Sequence, residues 1–376
     1  MSCPAARILV LASLVAMGAC KDSTSPPVPA TLTVSAPWTT FEALGVTLQL
    51  TAQVMDKKGK VMSGVPITWS SSNASVASVS ASSGLVTAVG QGSVTITATA
   101  EAALGTVGLT VTQEPASLQK VSGDAQEGTV GEALAQNPVV RVLDSQGNPI
   151  PGVSVGFSVT AGGGSVSTGT VTGNSGGEAG VIWTLGTDAS LDHTLTASVG
   201  GFSAEFSATA LPGPASELTA ESGNGQTGEA LTILANSRGV AVWDQYGNPV
   251  SGVEVQWSAG TGSGSVAPTS GETDSEGEFG GAWTLGPLVG AQQATASVEG
   301  LESVSFSATA TAPPIAGITI TPPHPLIEVG GIVQLTATAL TAEGVQLSGI
   351  VFSFRHSPQR GAVVIGERHG QRRPDV

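Results

Sequence analysis

Sulphur, charge and aromatic residues are all scarce in this 376-residue chain. It has two cysteines, Cys3 and Cys20, which excludes a disulfide framework and any cysteine-based zinc site. Its four histidines, His193, His324, His356 and His369, show no metal-ligand spacing, and no phosphate loop interrupts the sequence. Charged residues make up 11% of the chain and aromatic residues 4%, with one tyrosine. The low charge, beside a hydrophobic fraction of 40%, excludes a charge-driven disordered polymer. Long apolar runs are missing too. The run from Ile8 to Met17 is half the ~20 residues that a membrane-spanning helix requires.

Abundant Val, Thr, Ser, Ala and Gly predict many short strands joined by turns. The length suits three or four domains of about 100 residues each. The formal net charge is −15, unevenly distributed. Residues 21–354 hold seven Lys and Arg against 26 Asp and Glu, whereas residues 355–376 hold Arg355, Arg360, Arg368, Arg372 and Arg373 against Glu367 and Asp375. An acidic body repels phosphate, so nucleic acid is not an expected partner.

"MSCPAARILVLASLVAMGAC" places Arg7 before the apolar run and small residues after it, which reads as a signal peptide over 1–19. The approach to Cys20 resembles a bacterial lipoprotein signal. That resemblance implies an acylated Cys20, a membrane partner reached through the N-terminal lipid, and an outer-membrane, extracytoplasmic location. Residues 20–29, with "KDSTSPPVP", then form a Ser/Pro tether.

Two segments repeat at a spacing of 100. "DSQGNPIPGVSVGFSV" from Asp144 matches "DQYGNPVSGVEVQWSA" from Asp244, and "WTLG" and "FSATA" recur at Trp183 and Trp283 and at Phe206 and Phe306. So long a period means whole domains in series rather than a solenoid. Val153, Val155 and Phe157 alternate with polar or small residues, as do Val253, Val255 and Trp257, and as do Phe202, Ala204, Phe206 and Ala208. Alternation of period two gives each strand one core face and one wet face, hence antiparallel sandwiches of Ig type. A further pair, "LQLTAQVMDKKGKVMSGVPITW" ending at Trp69 and "VQLTATALTAEGVQLSGIVFSF" ending at Phe354, lies at an offset of 285. The second copy then leaves the pattern, so its sandwich lacks its last strands.

Residues 31–112, with "WSSSNASVASVS" and "GLVTAVGQGSVTITATA", resemble the group 2 bacterial Ig-like domain. Residues 115–312, with "D..GNP..G", "WTLG" and "FSATA", resemble the group 1 Ig-like repeats of intimin and invasin adhesins. The resemblances imply an all-β, elongated array of tandem Ig-like antiparallel β-sandwiches acting as a surface stalk. The expected boundaries are 30–113 for the group 2 domain, 114–212 and 213–312 for the group 1 repeats, 313–354 for an incomplete group 2 domain, and 355–376 for a basic tail that reads either as translation in a shifted frame or as a divergent end that binds anionic surfaces.

In the hairpins, Asp144 and Asp244 accept bonds from backbone N–H groups. Gly147 and Gly247 supply positive φ, Asn148 and Asn248 complete the turns, and Pro149 and Pro249 open the next strands. These loops offer too few carboxylates for calcium, so no metal and no cofactor is expected. Nothing assembles a nucleophile with a base, so no enzyme is expected either. His193 reads as a solvated loop residue, and Asp274, Glu276 and Glu278 as a wet edge. Trp69, Trp183, Trp257 and Trp283 fit core positions, while Trp38 has no assigned place. The competing function is polysaccharide binding through Trp243 and Tyr246, if both rings are exposed. The expected protein is a monomeric, lipid-anchored envelope stalk that spaces or mediates adhesion, with a surface polysaccharide or another envelope or host protein as partner.

Overall fold

The computed structural model describes residues 26–323, 331–357 and 362–367, and every regular element among them is a β-strand. The leader, Cys20, residues 21–25 of the tether, His324, His369 and residues 358–361 and 368–376 of the tail lie outside the described residues. By packing, the chain divides into two compact units. The described residues of Met1–Leu118, together with Arg141–Val153 and Gly173–Gly177, form one; Gln119–Val140, Ser154–Thr172 and the described residues of Glu178–Val376 form the other.

In the first unit, a four-stranded sheet runs in the order Thr40–Phe41, Ala103–Val111, Gly92–Ala100 and Thr68–Ser71. Pro29–Ser35, Thr51–Asp56 and Val61–Met62 form a second sheet, and Thr47–Gln49, Leu85–Ala88 and Ala77–Val79 a third. Val94, Ile96, Ala98 and Ala100 are buried while the intervening threonines are not, as the alternation requires. Phe41, Leu48, Leu50, Trp69, Ile96 and Leu109 meet in the core, each contributing on the order of 1.5–3 kcal/mol by leaving water. The Trp69 indole rests on Gly84, where an added Cβ would lie 2.7 Å from Trp69 Cε2.

In the second unit, two five-stranded sheets share one strand order. The first runs Gln126–Thr129, Phe202–Leu211, Asp192–Val199, Ser154–Ala161 and Thr170–Thr172; the other runs Gln226–Glu229, Val304–Thr311, Gly290–Ser297, Glu254–Ala259 and Ser270–Glu272. Opposite the latter lie Ala215–Ser222, Arg238–Asp244, Glu278–Thr284 and Ser265–Ala267. Val240, Val242, Val255, Trp257, Trp283 and Phe306 fill the space between these two sheets, with the Trp257 and Phe306 rings 5.2 Å apart. These are tandem Ig-like β-sandwiches.

Pairing is not antiparallel throughout. Thr40 and Phe41 pair in parallel with Thr110 and Val111, Gln126 pairs in parallel with Ala208, and Gln226 with Ala308. The N-terminal strand of each sandwich is broken so that its second half covers an edge of the opposite sheet. In the two repeats the break falls at Gly123 and Gly223, with φ of 83° and 80°. A Cβ there would strike the carbonyl oxygens of Asn137 and Ser237, at 2.4 and 2.5 Å, so only glycine passes without strain. Phe202 also departs from the alternation. It faces Val199 at the tip of its hairpin and stays 39% exposed, beyond the end of the core.

Gly317–Thr321, Thr336–Leu340 and Gln346–Leu347 form a small sheet, and the backbone of Phe352–Ser357 pairs with Ala362–Glu367.

Candidate functional site

The hairpins at Asp144 and Asp244 are built alike. Asp144 Oδ1 accepts the N–H groups of Gln146 and Asn148 at 3.0 and 2.8 Å, and Asp244 Oδ1 accepts those of Tyr246 and Asn248 at 2.8 and 2.9 Å. Gly147 N–H and Gly247 N–H close back on the aspartate carbonyls, with φ of 81° and 83°. Pro149 and Pro249 form bridges with Leu143 and Trp243 as the next strand begins. The aspartates, however, are 2% and 3% exposed, far too buried for a turn that only closes on itself.

Their second oxygens explain the burial. Asp144 Oδ2 accepts from Leu44 N–H and from Gln113 Nε2, both at 3.0 Å, and from Asn148 Nδ2 at 3.2 Å. Asp244 Oδ2 accepts from Gly213 N–H and Asn248 Nδ2, both at 2.8 Å. Burial alone would raise both carboxyl pKa values. At Asp144 the bonds from Gln113, Asn148 and Leu44, and at Asp244 those from Asn248, Gly213 and Tyr246, outweigh it and leave both below the usual carboxylate value.

The two asparagines reach outward. Asn148 Nδ2 donates to Leu44 O at 3.1 Å. Asn248 Nδ2 donates to Thr187 O at 2.8 Å, and Asn248 Oδ1 accepts Ala189 N–H at 2.8 Å. Leu44, Gln113, Thr187 and Ala189 were invisible as site residues in the sequence, because nothing local marks a backbone group as the target of a distant loop.

The aromatic pair faces two different neighbours. Trp243 is half-buried and its indole N–H donates to Thr219 Oγ1 at 2.9 Å. Tyr246 is 45% exposed and leans over Gly131, where an added Cβ would lie 2.6 Å from its hydroxyl. Trp38, 48% exposed, lies on the first sandwich. Asp274 closes its own turn, accepting the N–H groups of Glu276 and Glu278 at 3.0 and 2.8 Å.

His193 is not the solvated loop residue expected: it is 1% exposed at the start of its strand. Gly186 N–H donates to its Nδ1 at 3.4 Å, and its Nε2 lies 3.2 Å from Asp188 O. The sister repeat makes the same contacts without an imidazole. Gly286 N–H donates to Gln292 Oε1 at 2.9 Å, and Gln292 Nε2 donates to Gly286 O and Leu288 O. A glutamine performs the same task, so the histidine is a structural plug between a loop and a strand.

One buried cation stands apart. Arg238 is fully buried, its guanidinium lies 4.2 Å from the Trp283 ring, and none of its three nitrogens has a hydrogen-bond partner. Burial lowers its pKa to about 10, so it remains charged at neutral pH. Among the described residues, no group of three or more His, Cys, Asp or Glu is placed to hold a metal ion.

Residues 30–112 match the family described as bacterial Ig-like domain (group 2). No curated protein matches the chain. Among solved structures, the Escherichia coli adhesin FdeC is similar at 19% identity and a TM-score of 0.38, covering 74% of this chain and 96% of its own. Domains 1–6 of the surface layer protein SbsC are similar at 17% identity and a TM-score of 0.30, covering 91% of this chain and 49% of their own. The D0–D1 domain of intimin is similar at 17% identity and a TM-score of 0.21, covering 51% of this chain and 98% of its own. The chain therefore carries one bacterial Ig-like domain of group 2, at residues 30–112, within an array of Ig-like sandwiches.

Proposed function

We propose that this chain is a non-enzymatic cell-envelope spacer, held to the outer membrane by a lipid on Cys20, with its Ig-like modules in series carrying an adhesive function away from the membrane. The observation that carries this reading is that the same loop of one module is held by the next: Thr187 and Ala189 by Asn248, then Pro287 and Val289 by Ser348. Repeats that fix their neighbours transmit position, which is what a spacer requires. The acidic body suits solubility at a crowded surface. The bonds of His193, Asp144 and Asp244 are spent on the fold, which supports a role other than catalysis.

On this reading 114–212 and 213–312 are group 1 repeats. Two measurements test it. Metabolic labelling with a radioactive fatty acid should mark the parent and not Cys20→Ser; equal labelling would remove the anchor from the account. Small-angle scattering should give a length of roughly 100 Å for three modules end to end.

Polysaccharide binding is the second reading, favoured only by the exposure of Tyr246. The tie between Trp243 and Thr219 counts against a shared sugar platform. Unchanged binding of isolated surface polysaccharide by Trp243→Ala would remove it.

A further inference from the structure

Among the described residues, the five-residue turn that opens with Asp144 and Asp244 opens with an aspartate at two further places. Asp56 Oδ1 accepts the N–H groups of Lys58 and Lys60 at 2.8 and 2.9 Å, and Asp274 Oδ1 accepts those of Glu276 and Glu278. In all four turns a glycine N–H, from Gly59, Gly147, Gly247 or Gly277, returns to the aspartate carbonyl. The fifth residue is Lys60 in one, Glu278 in another and asparagine in the remaining two. Closing the turn therefore does not require asparagine, and the amides of Asn148 and Asn248 answer to something else.

What they answer to is backbone outside their own turn. Asn248 takes both the carbonyl of Thr187 and the N–H of Ala189. One hundred residues on, the equivalent groups are taken in the same way. Ser348 N–H donates to Pro287 O at 3.0 Å, and Val289 N–H donates to Ser348 O at 2.8 Å. A side-chain amide does at one joint what a main-chain peptide does at the next, because the two carry the same donor and acceptor. At Leu44 the same pair of groups is shared out: its carbonyl goes to Asn148 Nδ2 and its N–H to Asp144 Oδ2.

We propose that the Asp-x-x-Gly-Asn-Pro hairpin is a module coupler, in which the asparagine amide acts as a one-residue strand edge that clasps two backbone groups of the preceding segment, and the aspartate holds that amide in position. Asp244 fixes the orientation of Asn248. Its Oδ2 and Thr187 O both face Nδ2, so a flipped amide would set oxygen against two oxygens. The partner of this surface is the neighbouring module of the same chain. The Asp56 and Asp274 turns, with Lys60 and Glu278 in the fifth place, lack the clasping residue and mark hairpins that do not couple.

The coupler rests on the spacer reading for its purpose but not for its chemistry, and its test is separate. Hydrogen exchange at single-amide resolution on the full chain compares the parent with Asn248→Ala. The Ala189 amide should exchange about tenfold faster in the variant, the loss of one hydrogen bond. The amides of Asp244 and Gly247, which report the turn, and those of the strand Gly290–Ser297, which report the core, should keep their protection. Unchanged exchange at Ala189 with the turn intact would overturn the proposal. If the turn itself loosens, Asn248→Lys, borrowed from position 60 of the same turn type, decides. Ala189 must lose protection there too, and retained protection refutes the clasp. A faster Ala189 amide combined with a compact scattering profile would leave the coupler standing and remove the spacer.

Discussion

His193 and Gln292 grip the same backbone position in sister repeats: the N–H of Gly186 lies 3.4 Å from the imidazole Nδ1, and the N–H of Gly286 lies 2.9 Å from the amide Oε1. Both side chains also offer a donor to the loop carbonyl that follows, Asp188 O or Leu288 O. The function of the position is to satisfy buried backbone where the loop turns into the strand.

Exchange of one for the other should therefore be nearly neutral. We expect His193→Gln to unfold within about 1 kcal/mol of the parent and His193→Ala to lose about 1–3 kcal/mol, the cost of orphaned buried groups. Denaturant titration of the full chain measures both. Equal losses for the two variants would contradict the equivalence.

Arg238 leads to a substitution that strengthens the protein. Its guanidinium is buried without a hydrogen-bond partner, and stacking on Trp283 is its one visible compensation. Removing a buried charge in favour of an apolar chain of similar length should stabilise the sandwich by about 1–4 kcal/mol. Arg238→Met is thus expected to raise the denaturation midpoint, and a lower midpoint would mean the cation is paired in solution.

Acid should weaken the hairpin joints. Asp144 and Asp244 both titrate below the ordinary carboxylate value in the folded chain, so the unfolded chain binds protons first as pH falls. Their contribution is complete above the unfolded pKa of about 3.9 and is lost as pH drops through the lower folded values. Exchange at the Leu44 and Gly213 amides, which these carboxylates hold, should accelerate below about pH 4 beyond the intrinsic rate. In Asp244→Asn, the acid-dependent part should vanish at Gly213 and persist at Leu44.

Gly84 should tolerate no side chain. Its φ is 71°, and a Cβ would lie within 3 Å of three atoms of the Trp69 indole. Gly84→Val combines backbone strain with overpacking and should cost about 2–6 kcal/mol, with a shift in tryptophan emission as Trp69 is displaced. An unchanged melting curve would contradict the close packing of Trp69 on Gly84.

The sandwiches were legible because period-two alternation is a local property. Val94, Ile96 and Ala98 declare their buried face to any reader who counts by two, and the 100-residue spacing of "WTLG" and "FSATA" declares a duplicated module. The switch of the first strand between sheets was not legible, since a parallel pair such as Gln226 with Ala308 depends on residues 82 apart. Nor was the burial of His193, because "TDASLDHTL" is polar and its burial is imposed by the loop above it. The turn chemistry of Asp244 and Gly247 could be read from spacing alone. The outward reach of Asn248 could not, since its partners are plain backbone groups of Thr187 and Ala189, which no side-chain pattern announces. A clue existed in the comparison of Asn148 and Asn248 with Lys60 and Glu278 at the same place in the same turn.

The most direct measurement of the central claim is small-angle scattering of residues 21–376 at several concentrations. On the spacer proposal, three modules end to end measure roughly 100 Å, which alone sets a radius of gyration of about 30 Å, so about 30 Å or more is the value expected. A value near 20 Å, that of a compact chain of this length, would contradict the spacer.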